Sequence, residues 1–209
     1  MANPNPAKDG RLYAGQTVES RRLQRREKLI EAGYILFGTL GFHQTKIDAV
    51  CAEAGVGIRS LYDEFGRLEE LFRAVYVRLV EQAYDAVDTV LSTNSANLLE
   101  AAVSAYLHCM LDDPKSGRIV SIESGRLDIE LGPLRSDTLQ RFSRLSETYL
   151  EGSNIPANAK QTWSIMFAGA INEIVVNELI SETRTDPDAL ARVAANVWQA
   201  SIDGYRADV

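Results

Sequence analysis

Residues 45–65, TKIDAVCAEAGVGIRSLYDEF, constrain the fold of this chain more than any other stretch. The first half spaces apolar side chains at i, i+3, i+4 and i+7, which predicts one buried face of a short helix made by Ile47, Val50, Cys51 and Ala54. Gly55 can take the left-handed conformation that ends a helix, and a second helix from about Gly57 is expected to bury Leu61 and Phe65. Two short helices joined by a glycine turn predict a helix-turn-helix, whose second helix lies in the DNA major groove in many regulators. An ordinary hairpin of two helices is the alternative interpretation.

Basic residues are concentrated just before this stretch, although the whole chain has a formal net charge of −7. Residues 1–28 hold seven Lys and Arg against three acidic residues, which leaves −11 for the rest of the chain. Five of these basic residues fall in SRRLQRREK, in a predicted helix from Glu19 to about Leu40 that Gly41 ends. Exposed charges are screened beyond about 8 Å at physiological salt, so an acidic body does not prevent a basic tip from binding DNA. The alternative is a solvated helix face that binds nothing.

The length of 209 residues fits one small module fused to a larger one, and 45% hydrophobic residues are typical of a soluble globular protein. No uninterrupted apolar run has the roughly 18 residues of a membrane span, and no signal-peptide pattern is present, so we expect a cytoplasmic protein that does not bind membranes. Cys51 and Cys109 lie in apolar helical patterns and are interpreted as buried side chains. The two histidines, His43 and His108, lack the spacing of a catalytic or metal site, so we expect no enzyme, no metal and no cofactor.

Helical spacing continues to the C-terminus and predicts an all-α protein. Thr45 and Asp48 have the spacing of a capping box that would start the first helix of the motif at Thr45. A long helix through residues 68–91 is expected to connect the module to the body, and the apolar segment 118–124 is assigned to a helix because no partner strand is present. Residues 125–136, which include glycine and proline, are expected to be irregular. Later helices are predicted over 134–151, 156–182 and from 187 onward.

The N-terminal third resembles the tetracycline-repressor (TetR) family of transcriptional regulators. The resemblance rests on residues 24–75, where FGTLGF is followed by TKIDAVCAEAGVGIRSLYDEFGRLEELFRAV. The family's signature residues are matched by Thr45, Ile47, Val50, Ala54, Gly55, Val56, Leu61, Tyr62, Phe65, Glu69 and Leu71. The resemblance implies a sequence-specific repressor that a small-molecule effector releases from a palindromic operator in double-stranded DNA. A helical protein-interaction adaptor without specific DNA binding is the alternative. Three parts follow: a flexible tail (1–18), a helix-turn-helix domain (19–66) and a helical effector-binding and dimerisation domain (67–209).

The motif and the resemblance together predict the residues that contact DNA. Arg59 is the candidate for base readout, because a guanidinium can donate to guanine O6 and N7 together; its alternative role is a surface ion pair with Asp63. Tyr62 is expected at a phosphate, and Asp63 and Glu64 are expected near the phosphates. The full predicted DNA-binding set is Arg21, Arg22, Arg25, Thr45, Lys46, Gly57, Ile58, Arg59, Ser60, Tyr62 and Arg67.

The resemblance also implies an effector pocket between the helices of the body and a homodimer formed by the last two long helices. Aromatic, sulfur-bearing and polar side chains are the candidates for the pocket: Tyr106, Met110, Glu123, Phe142, Tyr149, Trp163, Met166, Phe167 and Asn172. Small and apolar residues are the candidates for the dimer interface: Gly169, Ala170, Ile174, Val193 and Val197. For each of these residues the alternative is ordinary packing within one chain.

Overall fold

A computed structural model describes residues 18–205 except 94–96, 152 and 154, and gives only the backbone of residue 128. The predicted tail lies almost entirely outside the described residues. The N-terminal helices are α1 Val18–Leu40, α2 Ile47–Ala54, α3 Ile58–Phe65 and α4 Leu68–Leu91. The later helices are α5 Leu98–Leu111, α6 Pro114–Gly117, α7 Asp128–Tyr149, α8 Ala157–Ile180 and α9 Pro187–Asp203. Between α6 and α7 the chain stays helical, with a π-helical turn over Arg118–Ile122 and a 3-10 turn over Glu123–Leu127. The all-α prediction is confirmed.

Helices α1 to α3 form a small domain on the first part of α4. Gly55 has φ 63° and ψ 37°, so the predicted left-handed turn between α2 and α3 is confirmed. Leu61 and Phe65 are buried as the spacing requires. The rings of Phe37, Phe42 and Phe72 meet with centroid separations of 5.1 to 5.7 Å. This aromatic cluster joins α1, the turn that follows it and α4 at the base of the domain.

The predicted capping box at the start of α2 is wrong. Lys46, not Thr45, is the N-cap residue of α2, and no side chain caps the helix. The Thr45 hydroxyl instead donates to the Gly41 carbonyl oxygen at 2.8 Å, and Thr45 is buried. Thr45 is directed inward because a 3-10 turn over Phe42–Gln44 separates α1 from α2 and brings residue 45 back to the end of α1. Thr45 therefore stabilises the turn from within.

The larger domain packs α5 between α4 and α9, and pairs α7 with α8. Helix α7 begins at Asp128, so the predicted irregular segment is wrong over most of its length. Pro133 lies inside α7, where a proline removes one backbone hydrogen bond. Leu131 is buried beside it and helps to hold the first turns of α7 in place. Helices α8 and α9 meet through aromatic side chains, with Phe167 stacked on Trp198 at 4.4 Å between centroids.

One described helix, α8, has the length and mean hydropathy of a membrane span. The apolar side chains of α8 were not detected as a span in the sequence because polar residues interrupt them. A single such helix is weak evidence, since helices in the core of globular proteins pass the same test. In this fold the apolar side chains of α8 have other roles, because they contribute to the core, to a cavity wall and to an exposed surface described below.

Candidate nucleic-acid interface and ligand cavity

Helix α3 presents one exposed face while its other face is buried. Leu61 and Phe65 point into the core, and Ile58, Arg59 and Tyr62 are exposed on the opposite side. These positions follow from the 100° rotation per residue of a helix, since residues i, i+1 and i+4 share one side. Gly57 caps α3 with extended backbone and leaves the first turn open at the surface. The side chains predicted to read bases therefore share one accessible surface.

Arg59 is 93% exposed, and its Nε lies 3.7 Å from Asp63 Oδ2 one turn later. The alternative role predicted for Arg59, a surface ion pair, is thus present in the unbound chain. An exposed i, i+4 ion pair contributes only about 0.3–0.5 kcal/mol. A good bidentate contact between arginine and guanine discriminates by about 1–3 kcal/mol, so the pair with Asp63 does not prevent base readout.

Part of the predicted basic cluster is used to hold α1 against α3. Arg22 Nε donates to Glu64 Oε1 at 3.2 Å, and the Glu64 side chain is only 4% exposed. Arg26 lies 4.4 Å from the centroid of the Phe65 ring and extends toward the Glu64 carbonyl oxygen. The Glu64 carboxylate is paired with Arg22, so its negative charge is compensated within the domain. Arg21 and Lys46, on the same domain, are exposed.

The remaining residues predicted to contact DNA differ in their exposure and in the contacts they make within the chain. Arg67 lies at the N-terminus of α4 and donates to Glu70 Oε1 at 3.1 Å. Hydrogen bonding to that carboxylate is the main cause that raises the pKa of Arg67. Ser60 and Arg25 are half-buried beside the exposed face.

A cavity of about 450 Å³ lies in the larger domain between α4, α5, α7 and α8. Its wall is mainly apolar and aromatic, and the predicted residues on it are Tyr106, Phe142, Tyr149, Phe167 and Asn172. The volume lies in the range of small-molecule sites, about 300–1,000 Å³. Among the described residues on the wall, the one charged side chain is Arg135. The composition of this wall suits an elongated apolar ligand with a polar or anionic end.

Hydrogen bonds and ring contacts position the wall. Tyr106 and Phe142 meet edge to face at 5.3 Å between centroids, and burial raises the pKa of Tyr106. The Tyr149 hydroxyl donates to Gln199 Oε1 at 2.7 Å, which ties the wall to α9. The Ser121 hydroxyl donates to Asn172 Oδ1 at 2.9 Å, which ties the wall to the π-helical turn. Two of the polar wall residues are therefore connected to elements outside the cavity.

Four residues predicted for the pocket do not line the cavity. Met110 is buried in the core, and Trp163 packs on Trp198 at 5.2 Å between centroids. Met166 is exposed on α8. Glu123 is fully buried, but it lies at the junction between the two domains. The sequence pattern identified these side chains as interior or apolar without resolving which helix faces which neighbour.

The residues predicted for a dimer interface lie on α8 and α9, and three of them are exposed. Val193 and Val197 are 63% and 62% exposed, one turn apart on α9. Ala170 is exposed on α8, and a Cβ added at Gly169 would contact nothing. Gly169 also reaches the cavity wall from α8, while Ile174 is half-buried. Val193, Val197 and Ala170 are therefore accessible at the surface, whereas Ile174 packs partly against the core.

Sequence reasoning missed Arg135 on the cavity wall and Arg118 at the domain junction. Arg135 lies where the predicted irregular segment 125–136 overlaps the start of the predicted helix 134–151, and no role was assigned to it. Arg118 Nη1 donates to the Thr39 carbonyl oxygen at 2.8 Å, a contact across 79 residues that no local pattern indicates.

The fold and these two regions define a class of helical proteins that carry an N-terminal helix-turn-helix on a larger body with an internal cavity. Residues 29–75 match the model of the bacterial regulatory proteins of the tetR family. This match lies on the domain that carries α3.

The similarity to known proteins extends beyond that domain. Over 125 residues the chain is 30% identical to the HTH-type transcriptional activator FasR of Mycolicibacterium smegmatis, a match that spans 57% of this chain and 57% of that activator. The structure of a TetR-like transcriptional regulator from Rhodococcus sp. RHA1 has 21% identity, a TM-score of 0.71, and covers 87% of this chain and 97% of that one. The transcriptional regulator FadR from Bacillus subtilis, solved in complex with stearoyl-CoA, has 16% identity, a TM-score of 0.72, and covers 86% and 99%. These structural likenesses show that the fold is shared.

Proposed function

We propose that this protein is a sequence-specific DNA-binding transcriptional regulator whose affinity for DNA is changed by a small amphipathic effector. The observation that carries the proposal is the exposed face of α3, where Ile58, Arg59 and Tyr62 stand opposite a buried Leu61 and Phe65. Base readout in the major groove requires such a face on a helix held rigidly by its own core. The tetR-family match over residues 29–75 supports this role.

The cavity supports an effector with an acyl chain. Its wall is mostly apolar, and its one described charged residue is the cation Arg135, which suits a carboxylate, thioester carbonyl or phosphate at the end of a chain. The Bacillus subtilis FadR, which shares the fold, was solved with stearoyl-CoA. We propose an acyl-chain ligand of this kind for the present protein, with its apolar part between Phe142 and Phe167.

A homodimer is the second part of the proposal. A single helix-turn-helix contacts a short half-site, and two recognition helices about 34 Å apart match the symmetry of a palindromic operator. The exposed Val193 and Val197 on α9, with the open Gly169 and exposed Ala170 on α8, support an isologous contact between two copies. Val193→Asp with Val197→Asp should yield monomers in sedimentation, whereas Ile129→Asp, at a more exposed apolar residue on α7, should remain dimeric. Wild-type protein that sediments as a monomer at micromolar concentration contradicts this part.

DNA binding is tested first with a fluorescent fragment taken upstream of the gene for this protein, titrated at several salt concentrations. We expect tight binding that resists excess random DNA and weakens steeply with salt, because phosphate contacts release counterions. Arg59→Ala should reduce discrimination at one base pair by about 1–3 kcal/mol. Lys46→Ala should weaken binding to all DNA sequences alike and reduce the slope of log affinity against log salt concentration by about one. Arg144→Ala on α7 is the matched control and should change neither quantity.

Two outcomes would redirect the proposal. Binding that is equally weak on every DNA contradicts sequence specificity, and no binding at low salt favours the alternative of a protein-interaction adaptor.

Whether the protein represses or activates is tested by transcription with and without stearoyl-CoA. We propose repression that the effector relieves, whereas the relative from Mycolicibacterium smegmatis is named an activator. Increased transcription on adding protein alone contradicts repression. We also propose that the protein acts in the cytoplasm, where its DNA is located.

A further inference from the structure

The two domains meet where residues 114–127, here called the junction segment, cross the C-terminal half of α1. Gly38 of α1 is so close to Lys115 that a side chain at residue 38 would overlap the Lys115 side chain. Tyr34 Oη lies 3.2 Å from Ser116 Oγ at the same crossing, and burial is the main cause that raises the pKa of Tyr34 to about 12. The absence of a side chain at Gly38 therefore lets α1 pack closely against Lys115 of the junction segment.

Two charged side chains of the junction segment hold the end of α1. Arg118 Nη1 donates to the Thr39 carbonyl oxygen at 2.8 Å. Glu123 Oε2 accepts from the Phe42 backbone N–H at 3.0 Å, and the Glu123 side chain is excluded from solvent. Both carboxylate oxygens would lie 3.0 Å from a Cβ at Gly41, so the carboxylate packs directly on this turn. The Thr39 carbonyl oxygen and the first free N–H after α1 are thus bound by the other domain.

The same segment forms part of the cavity wall. Val120 lines the cavity, and Ser121 is hydrogen-bonded to Asn172, which also lines it. Both residues lie in the π-helical turn Arg118–Ile122, between the two side chains that hold α1. Such turns are less regular than an α-helix and occur frequently at functional sites. One short turn therefore connects the cavity with the base of the helix-turn-helix domain.

The charge arrangement at Glu123 argues against stability as its main contribution. Its Oε1 accepts from Arg126 at 2.7 Å and from Arg118 at 3.4 Å, so the carboxylate is compensated inside the protein. Buried ion pairs offer little net stability, because the desolvation of both charges offsets their attraction. They do define geometry, since hydrogen bonds to a charged group are short and directional. The contact with Phe42 directs that geometry to the turn between α1 and α2.

We propose that Glu123 is a positioning residue, whose carboxylate transmits the state of the cavity wall to the helix-turn-helix domain through the Phe42 amide. A ligand that displaces Val120 or the Ser121–Asn172 hydrogen bond alters the π-helical turn, and Glu123 then shifts the turn that precedes α2. This proposal rests on the proposed function, because it assigns the connection between the effector cavity and the DNA interface. The connection itself exists or fails without reference to any DNA.

The experiment measures hydrogen exchange of the Phe42 amide in the full-length protein in the absence of DNA. Glu123→Gln should accelerate this exchange about tenfold or more, because the Phe42 amide loses its hydrogen bond to a charged acceptor; tenfold corresponds to about 1.4 kcal/mol. Glu151→Gln, which removes the same charge from an exposed position after α7, should leave it unchanged. Asn172→Leu, which removes the hydrogen bond of the cavity wall to Ser121, should change the exchange several-fold. Combined with Glu123→Gln, it should add nothing further, the signature of two residues acting through one path.

A Phe42 amide that exchanges at the same rate in wild type and Glu123→Gln overturns the proposal. A full additional effect of Asn172→Leu in the Glu123→Gln background also overturns it, because a purely structural glutamate would give independent effects. If Glu123→Gln does not fold, Arg118→Gln replaces it, since this partly exposed residue holds the adjacent Thr39 carbonyl. The proposal then requires the same non-additivity with Asn172→Leu at the Phe42 amide. Failure of the wild-type protein to bind DNA would overturn the proposed function and leave these exchange rates as they are.

Discussion

The helix-turn-helix domain and the larger helical domain differ in how their interiors are filled. In the first, the side chains of Leu29, Phe37, Leu61 and Phe72 are completely inaccessible to solvent. In the second, four helices leave a cavity of about 450 Å³ between them. A filled interior keeps the exposed face of α3 in one conformation, because packed side chains resist displacement. An open interior leaves room for a ligand and allows the surrounding helices to respond to it.

The largest expected effect tests this difference directly. Leu61→Ala should lower the free energy of unfolding by about 2–5 kcal/mol, since the lost side chain leaves a new cavity in a filled core. Phe142→Ala should have a smaller effect, about 1 kcal/mol, because Phe142 already borders open space. Denaturant titration followed by circular dichroism measures both. Equal losses for the two variants would contradict the contrast between a filled and an open interior.

The same titration followed by fluorescence separates the two domains. Both tryptophans, Trp163 and Trp198, lie in α8 and α9. If the filled domain unfolds by itself, Leu61→Ala shifts the circular dichroism transition and leaves the fluorescence transition unchanged. Coincident shifts would mean that the junction between the domains makes them unfold together.

The second effect concerns the turn between α1 and α2. Gly41 has φ 86° and ψ 162°, a region that is essentially restricted to glycine. Gly41→Ala should therefore destabilise the protein by about 1–3 kcal/mol and press the new methyl group against Glu123. Gly57→Ala is the matched control, because residue 57 has a negative φ and open space around it. A Gly41→Ala protein as stable as Gly57→Ala would show that this turn adapts freely.

The smallest effect is a pH dependence located in the larger domain. His108 lies 2.9 Å from Asp112 and 3.3 Å from Asp188, and hydrogen bonding to Asp112 is the main cause that raises its pKa. Because the folded pKa is the higher one, the stabilisation is full below the unfolded value of about 6.5 and is lost as pH rises through the folded value. The free energy of unfolding should fall slightly more between about pH 6 and 8 in wild type than in His108→Gln. His43→Gln, in the other domain, should keep the wild-type slope; an unchanged slope in His108→Gln contradicts the assignment.

The two domains also differ in how far the sequence predicted them. The turn at Gly55, the buried Leu61 and Phe65 and the exposed Arg59 follow from helical spacing and glycine chemistry, which are local. The start of α7 was predicted wrongly because Pro133 is tolerated inside a helix once its neighbours are packed. The inward direction of Thr45 likewise depends on the preceding 3-10 turn.

The cavity and the domain junction depend on contacts between distant parts of the chain. Tyr106 and Phe142 were predicted for the pocket from residue type, and both line it. Arg135 was missed, and Glu123 was predicted for the pocket but lies at the junction, 81 positions from its backbone partner Phe42. Spacing along one helix reveals which side is apolar, but it does not reveal which neighbour covers that side.

The stacking of Phe167 on Trp198 and the hydrogen bond from Tyr149 to Gln199 have a consequence for mass action. Both contacts join the cavity wall to α9, whose opposite side carries the exposed Val193 and Val197. If two copies associate through that side, dimer formation constrains α9, and α9 in turn contacts the cavity wall. Reciprocity then requires that the ligand change the association constant by the same factor by which association changes ligand affinity. Ligand titrations at nanomolar and micromolar protein concentrations should therefore give different midpoints.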